Sequence, residues 1–241
     1  MELDIFHNMQ KYVFAAPYFG WLMAGVRNTI IISLLTAFFA FILGVFVSAL
    51  RNSENIILRT SGRLYINIFR NMPIIPLLLL LVIALPSTFK DLTGVPFPRN
   101  SEFFFFITVI SLNTSAYIAE ILRSGMRSIP GELLDCAKTL GLSSMQIKRK
   151  IIFPQIIKIC MPSLKNRFVH NLQNTAFAIV IPISMNMMDV LGQAKRIEAQ
   201  NFATVSPYLF AGAVYISLAI GLSFLLQGCY RFYMHYHGGD G

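Results

Sequence analysis

Apolar residues in this chain run in long continuous blocks instead of alternating with polar ones. Between Arg27 and Arg51 lie 23 uncharged residues, and between Arg70 and Lys90 lie 19. A further 17 separate Glu102 from Glu120, 21 separate Arg167 from Asp189, and 32 separate Glu198 from Arg231. A helix needs about 20 apolar residues to cross a hydrocarbon core about 30 Å thick. Backbone groups in lipid must be bonded internally, so continuous apolar runs favour helices over alternating barrel strands. The pattern predicts an all-α polytopic membrane protein, one domain over 1–241, with five spans near 21–50, 65–86, 103–122, 163–184 and 208–230. A sixth apolar stretch, 151–164, is interrupted by Pro154, Lys158 and Pro162 and is expected to lie at the membrane interface. Ala40, Gly44 and Ser48 recur every four residues, as do Ala213, Ser217 and Gly221, a spacing that lets membrane helices approach closely.

Composition agrees with this pattern and changes it little. Hydrophobic residues make up 55% of the 241 and charged residues 13%, about half the charged fraction of a soluble domain. That argues against an ordinary soluble enzyme, a disordered chain or a disulfide-stapled secreted module. Cys136, Cys160 and Cys229 lie far apart with no CxxC pair, so no metal site is indicated. The 20 Lys+Arg against 11 Asp+Glu raise the question of nucleic acid, and their placement answers it. Arg51, Arg59, Arg63 and Arg70 crowd the first link, and Arg123, Arg127, Lys138, Lys148, Arg149, Lys150 and Lys158 the link after the third span. The links at 87–102 and 185–207 carry only Lys90 with Arg99, and Lys195 with Arg196. By the positive-inside rule the first two links are cytoplasmic and the other two external. Arg231 then puts the C-terminus inside, and an odd number of spans leaves the N-terminus, with Glu2 and Asp4, outside. The basic excess is therefore a topology signal and not a nucleic-acid one. Val47-Ser48-Ala49 has the form of a cleavage site, but the apolar run before it is too long for a signal peptide, so the first span is expected to stay.

The link after the third span is too patterned for a plain loop. Leu133, Leu134, Ala137 and Leu140 share one face of a short helix, with Pro130 at its start and Gly141 just past its end. Ser143-Ser144-Met145-Gln146 has capping-box form and opens a second helix carrying Lys148, Arg149 and Lys150. Such a segment, about 128–155, is either an amphipathic hairpin on the membrane surface or a knob aimed at a soluble partner.

Resemblance favours the knob. Asp135-Cys136-Ala137, then Gly141, then Pro154, resembles the EAA–glycine–proline signature of the membrane subunits of bacterial ABC importers, with Asp135 for the usual Glu and Cys136 for the first Ala. Tyr65…Phe69-Arg70-Asn71-Met72-Pro73 and Ala116-Tyr117-Ile118-Ala119-Glu120…Arg123 are similar to segments of polar amino-acid permeases, the histidine, glutamine and glutamate permease subfamily. Asn166 followed by Gln173-Asn174-Thr175-Ala176, and Pro207-Tyr208 to Tyr215, look like further segments of the same group. The resemblance covers residues 25–230 and implies a type I importer permease in a bacterial inner membrane. It also implies two copies of an ATP-binding cassette subunit that binds ATP and Mg, a second permease chain (itself or a sister) and an external solute-binding protein. In that frame Leu133, Asp135, Ala137, Leu140 and Gly141 couple to the ATPase, and the chain itself is not an enzyme.

Four residues are candidates for substrate contact: Glu120, Asn113, Asn174 and Thr175. A carboxylate costs about 2.5–3.5 kcal/mol at the centre of a spanning helix and less near its end. Glu120 either pairs with Arg123 one turn on or, as the resemblance implies, faces the substrate. Asn113, with Thr114 and Ser115, either lines a cavity or bonds back along its own helix. Asn174 and Thr175 either bond between helices or meet the substrate. Many of the family have aspartate at the Asn174 position, so a neutral amide there favours acidic or neutral amino acids over basic ones. Pro182 is expected to unwind the end of the fourth span. A channel, a secondary transporter and an intramembrane enzyme are the other classes, although GxSxG, HExxH and GxxxxGK[ST] motifs are all missing.

Overall fold

The computed structural model describes residues 10–98, 101–181, 183–203 and 205–237, so Glu2, Asp4, Arg99 and Pro182 lie outside the described residues. Helix α1 runs Tyr18–Arg51, α2 Ile56–Asn71, and α3 Ile74–Thr93 with a π-helical stretch at Leu79–Ala84. Helix α4 is Ser101–Arg127, α5 Gly131–Thr139, and α6 Ser144–Ile147. Helix α7 is Phe153–Asn174, α8 Val190–Asn201, and α9 Val205–His237. No strand occurs among the described residues. The all-α membrane architecture expected from the charge-free windows is what the chain forms.

Four helices among the described residues are long and apolar enough to span a bilayer: Tyr18–Arg51, Ile74–Thr93, Ser101–Arg127 and Val205–His235. The expected fourth span, 163–184, is not one uniform helix. It is the second half of α7 followed by a 3-10 stretch at Thr175–Val180. The stretch at 151–164 is not a separate segment either. A π-helical stretch at Lys148–Ile152 runs from α6 into α7, Pro154 follows directly after it, and Pro162 is carried inside the helix. The expected second span, 65–86, divides at Met72-Pro73: Met72 is extended (ψ 128°), as a residue before proline prefers.

Helix α4 is the hub. It packs along α1, where a Cβ on Gly44 would lie 2.7 Å from Ile118 Cγ2, so only glycine permits this approach. The Ala40, Gly44, Ser48 stripe is thus a buried contact line. The Ala213, Ser217, Gly221 stripe on α9 is exposed and unpacked within this chain. Helix α8, not foreseen from the sequence, crosses α1 at Gly25, whose added Cβ would sit 2.7 Å from Val190 Cα. Val190, Ala194 and Ile197 join Val13, Leu22 and Ala211 in one apolar cluster. The irregular backbone before α8 is bonded by side chains: Asn28 Nδ2 donates to Asn186 O (2.8 Å) and Met188 O (2.9 Å), and Gln193 Nε2 to Met185 O (2.8 Å). That is the condition under which non-helical backbone persists at membrane depth.

Candidate functional site

The polar core that positions the site begins on α1, α4 and α7. Thr114 Oγ1 donates to Asn171 Oδ1 (3.0 Å), and Asn171 Nδ2 donates to Ser33 O (3.1 Å) and Thr36 Oγ1 (2.9 Å). All four residues are buried. Each such bond is worth only about 1 kcal/mol in a membrane, but a buried side chain left without it has no water to turn to. Together the bonds fix the rotation of three helices.

Beside this core, α4 and α7 open a polar cleft. Two concavities, of about 300 Å³ and about 480 Å³, adjoin through Tyr117, Ile121 and Ser163, which line both. The smaller is bordered by Arg70 and Glu120, the larger by Asn166, Arg167, His170 and Asn174. The broken end of α2 closes one side. Helix-terminal carbonyls need outside donors, and here Asn113 Nδ2 donates to Phe69 O (2.7 Å) and Tyr117 Oη to Arg70 O (3.2 Å).

The four candidate residues separate on this geometry. Glu120 lines the cleft, but Arg123 grips both its oxygens, with Nε donating to Oε2 at 2.9 Å and Nη2 to Oε1, and Arg70 Nη1 stands 3.9 Å away. Glu120 thus forms the ion pair with Arg123 and borders the cleft as well. Asn174 borders the cleft at the last turn of α7. Asn113 is buried and occupied on both sides of its amide, by Phe69 O and by Arg167 Nη2 (2.9 Å). Thr175 turns away from the cleft. Fully buried, it donates to Leu172 O (2.8 Å) and meets Tyr215 Oη at 3.1 Å. It does not stand beside Asn174 on one binding surface, because the chain tightens to a 3-10 turn just there.

Arg167 was missed in the sequence, where it served only to mark the edge of a charge-free window. Its Nη2 donates to Asn113 Oδ1 and Thr114 Oγ1, both at 2.9 Å, and its guanidinium lies 4.0 Å over the Tyr117 ring. No carboxylate lies within 4.0 Å of it among the described residues. Asp189, the other edge of that window, is also interior. Its oxygens accept from Gly192 N (2.9 Å) and Leu191 N (3.3 Å), capping α8, and from Tyr215 Oη.

At one end of the bundle α5 and α6 form the patterned link. Helix α5 ends in a Schellman arrangement: Gly141 N donates to Lys138 O (2.9 Å), Leu142 N to Ala137 O (3.2 Å), and Gly141 has φ +75°. The Ser143 capping box is complete, with Ser143 N donating to Gln146 Oε1 (2.8 Å) and Gln146 N to Ser143 Oγ (3.3 Å). One expectation for this helix is corrected. Ala137 is 2% exposed and turned inward, so it is not available to a partner. Leu133 and Leu140 are exposed, as are Asp135 and Cys136, so the outward stripe runs through Leu133, Cys136 and Leu140 at helical spacing.

Comparison with known proteins gives one consistent answer. The chain is 30% identical over 231 residues to the probable amino-acid ABC transporter permease protein YckA of Bacillus subtilis, covering 93% of this chain and 97% of that one. It is 27% identical to the glutamine transport system permease protein GlnP of Escherichia coli K12, over 88% of this chain and 92% of the relative. Among solved structures, an amino acid ABC transporter superposes with a TM-score of 0.77 at 24% identity, over 91% of this chain and 97% of that one. The MetNI methionine ABC transporter in an inward-facing conformation gives 0.68 at 17% identity, over 90% and 98%. Residues 40–232 match the family described as the binding-protein-dependent transport system inner membrane component, and the chain belongs to that family.

Proposed function

We propose that this chain is the permease subunit of an ATP-driven importer of polar amino acids, with acidic or neutral substrates favoured over basic ones. It lies in a bacterial inner membrane with its N-terminus outside and its C-terminus in the cytoplasm. Two partner ATPase subunits bind ATP and Mg, an external binding protein delivers substrate, and a second permease chain completes the pathway. The observation that carries this reading is the cleft between α4 and α7, a hollow lined by polar and charged side chains. Its one lining carboxylate, Glu120, is neutralised by Arg123 and Arg70, and the Asn174 amide brings no charge. A basic side chain entering there meets no free negative partner, which supports the order of preference.

The work of ATP hydrolysis enters through α5. A helix laid in a groove of the ATPase moves as a rigid lever only if both its ends are fixed, and the Gly141 stop and the Ser143 cap fix one of them. Its outward Leu133, Cys136 and Leu140 are the surface offered to the groove.

The test is uptake into proteoliposomes by the complex assembled with its ATPase and binding protein. Labelled glutamate, aspartate, glutamine, arginine and lysine are compared with ATP inside. ATP-dependent uptake of the first three above the last two is expected. Uptake only of the basic pair overturns the preference, and uptake that ignores ATP overturns the importer.

A further inference from the structure

We propose that Arg167 receives a carboxylate of the substrate in the cleft, an inference that rests on the amino-acid reading above. An arginine inside a membrane helix ordinarily pairs with an acid or reaches out to the interface. Arg167 does neither. No acid lies within 4.0 Å among the described residues, and the side chain is tied down beside the polar core. Both of its hydrogen bonds leave from one nitrogen, Nη2, and both end on neutral oxygens, Asn113 Oδ1 and Thr114 Oγ1. Its positive charge is therefore held in place and not cancelled. Tyr117 covers one face of the guanidinium. Nε is buried with no partner, whereas Nη1 has no partner among the described residues and is not sealed off.

This is a pre-oriented cation with one free nitrogen at the wall of a hollow of about 480 Å³. A charged N–H donor held in one place can give one carboxylate oxygen a charge-assisted hydrogen bond, which a mobile ammonium does with less preorganisation. Asn166, His170 and Asn174 on the same wall add hydrogen-bonding groups for the rest of the ligand. Two carboxylates fit this chemistry: the α-carboxylate of every amino acid and the side-chain carboxylate of an acidic one.

Two measurements on the assembled complex test the assignment. In the first, Arg167→Gln and Arg167→Lys are compared with the parent for uptake of L-glutamate and L-glutamine, with retention of the ATPase chain as the check on folding. A 10- to 100-fold rise in KM in Arg167→Gln, partly restored in Arg167→Lys, is expected. A rise for both substrates assigns the α-carboxylate, and a rise for glutamate alone assigns the side chain. Unchanged KM for both overturns the proposal. The second measurement needs no uptake: phenylglyoxal labelling of the purified complex, read peptide by peptide, with L-glutamate, L-glutamine or no addition. Protection of Arg167 by either amino acid supports the site even if transport of the two proves absent, which would count against the functional reading alone. Equal labelling with and without them, or no labelling of Arg167 at all, overturns the site.

Discussion

Replacing Gly141 separates the conformational demand at the end of α5 from simple crowding. A Cβ added at Gly141 meets nothing within 4 Å, so a larger residue costs nothing by collision. The whole penalty lies in φ +75°, a left-handed backbone that side chains disfavour by about 1–2 kcal/mol and β-branched ones by more. Leaving that conformation also gives up the bonds from Gly141 N to Lys138 O and from Leu142 N to Ala137 O. Helix α5 has nine residues, far below the length at which a helix holds itself together in water. A loss of about 2–3 kcal/mol, within the range for such strained positions, therefore shifts its last turn from formed to frayed. Gly141→Val should leave the spanning helices inserted while uncoupling substrate-stimulated ATP hydrolysis or releasing the ATPase chain. Gly141→Asn should behave close to the parent, because asparagine tolerates the left-handed region. The assay is ATPase chain retained on purification, followed by hydrolysis with and without substrate-loaded binding protein. If Val and Asn variants behave alike, whether both normal or both dead, the conformational account is wrong.

Other predictions follow from the same geometry. Asn174→Asp should weaken glutamate uptake several-fold by adding a like charge to the cleft wall, while Glu120→Gln should lower uptake of all substrates without reordering them, since it frees Arg123 and Arg70. Equal selectivity and rate in both variants would remove these residues from the pathway. Asp189→Ala should lower the thermal midpoint of the detergent-solubilised chain by the equivalent of about 1–3 kcal/mol, because it strips the α8 cap and the Tyr215 hydroxyl of their acceptor; an unmoved midpoint refutes this. In a background lacking the exposed Cys136 and Cys229, a cysteine at Thr93 should react with an impermeant maleimide from outside and one at Ser144 only after permeabilisation. The reverse pattern would invert the orientation.

What was legible in the sequence depended on how local its cause is. The spans could be read because charge is expensive in lipid, and the end of α5 and the start of α6 because Gly141 and Ser143 act on backbone within three residues. Helix α8 could not be read so. Its charges, Lys195, Arg196 and Glu198, count as an ordinary link, and only the crossing at Gly25 shows why Val190, Ala194 and Ile197 are apolar. Arg167 and Asp189 stand at the two edges of one apolar window. A charge marks where an apolar window stops, so the two residues bounding the window 168–188 were read as its flanks. The structure puts both inside, one stacked on Tyr117 and one bonded to Tyr215, contacts about 50 and 26 positions away that no spacing rule reaches. The inward turn of Ala137 escaped notice for a similar reason: helical spacing defines a stripe but does not say which stripe faces the rest of the chain.

The amide of Asn113 has a consequence for how binding and movement are joined. Its nitrogen holds the last turn of α2 at Phe69 O and its oxygen holds Arg167 Nη2. A donor and an acceptor on one rigid plane cannot be rotated independently, so the amide cannot turn over without breaking both contacts. Linkage makes any coupling through this amide reciprocal: if a pull on the guanidinium weakens the bond at the α2 end, displacement of α2 weakens the hold on the guanidinium by the same free energy. The helix break at Met72-Pro73 lies three residues beyond the carbonyl that the amide holds. A three-atom group thus ties the wall of the cleft to the end of a helix that stops at a proline.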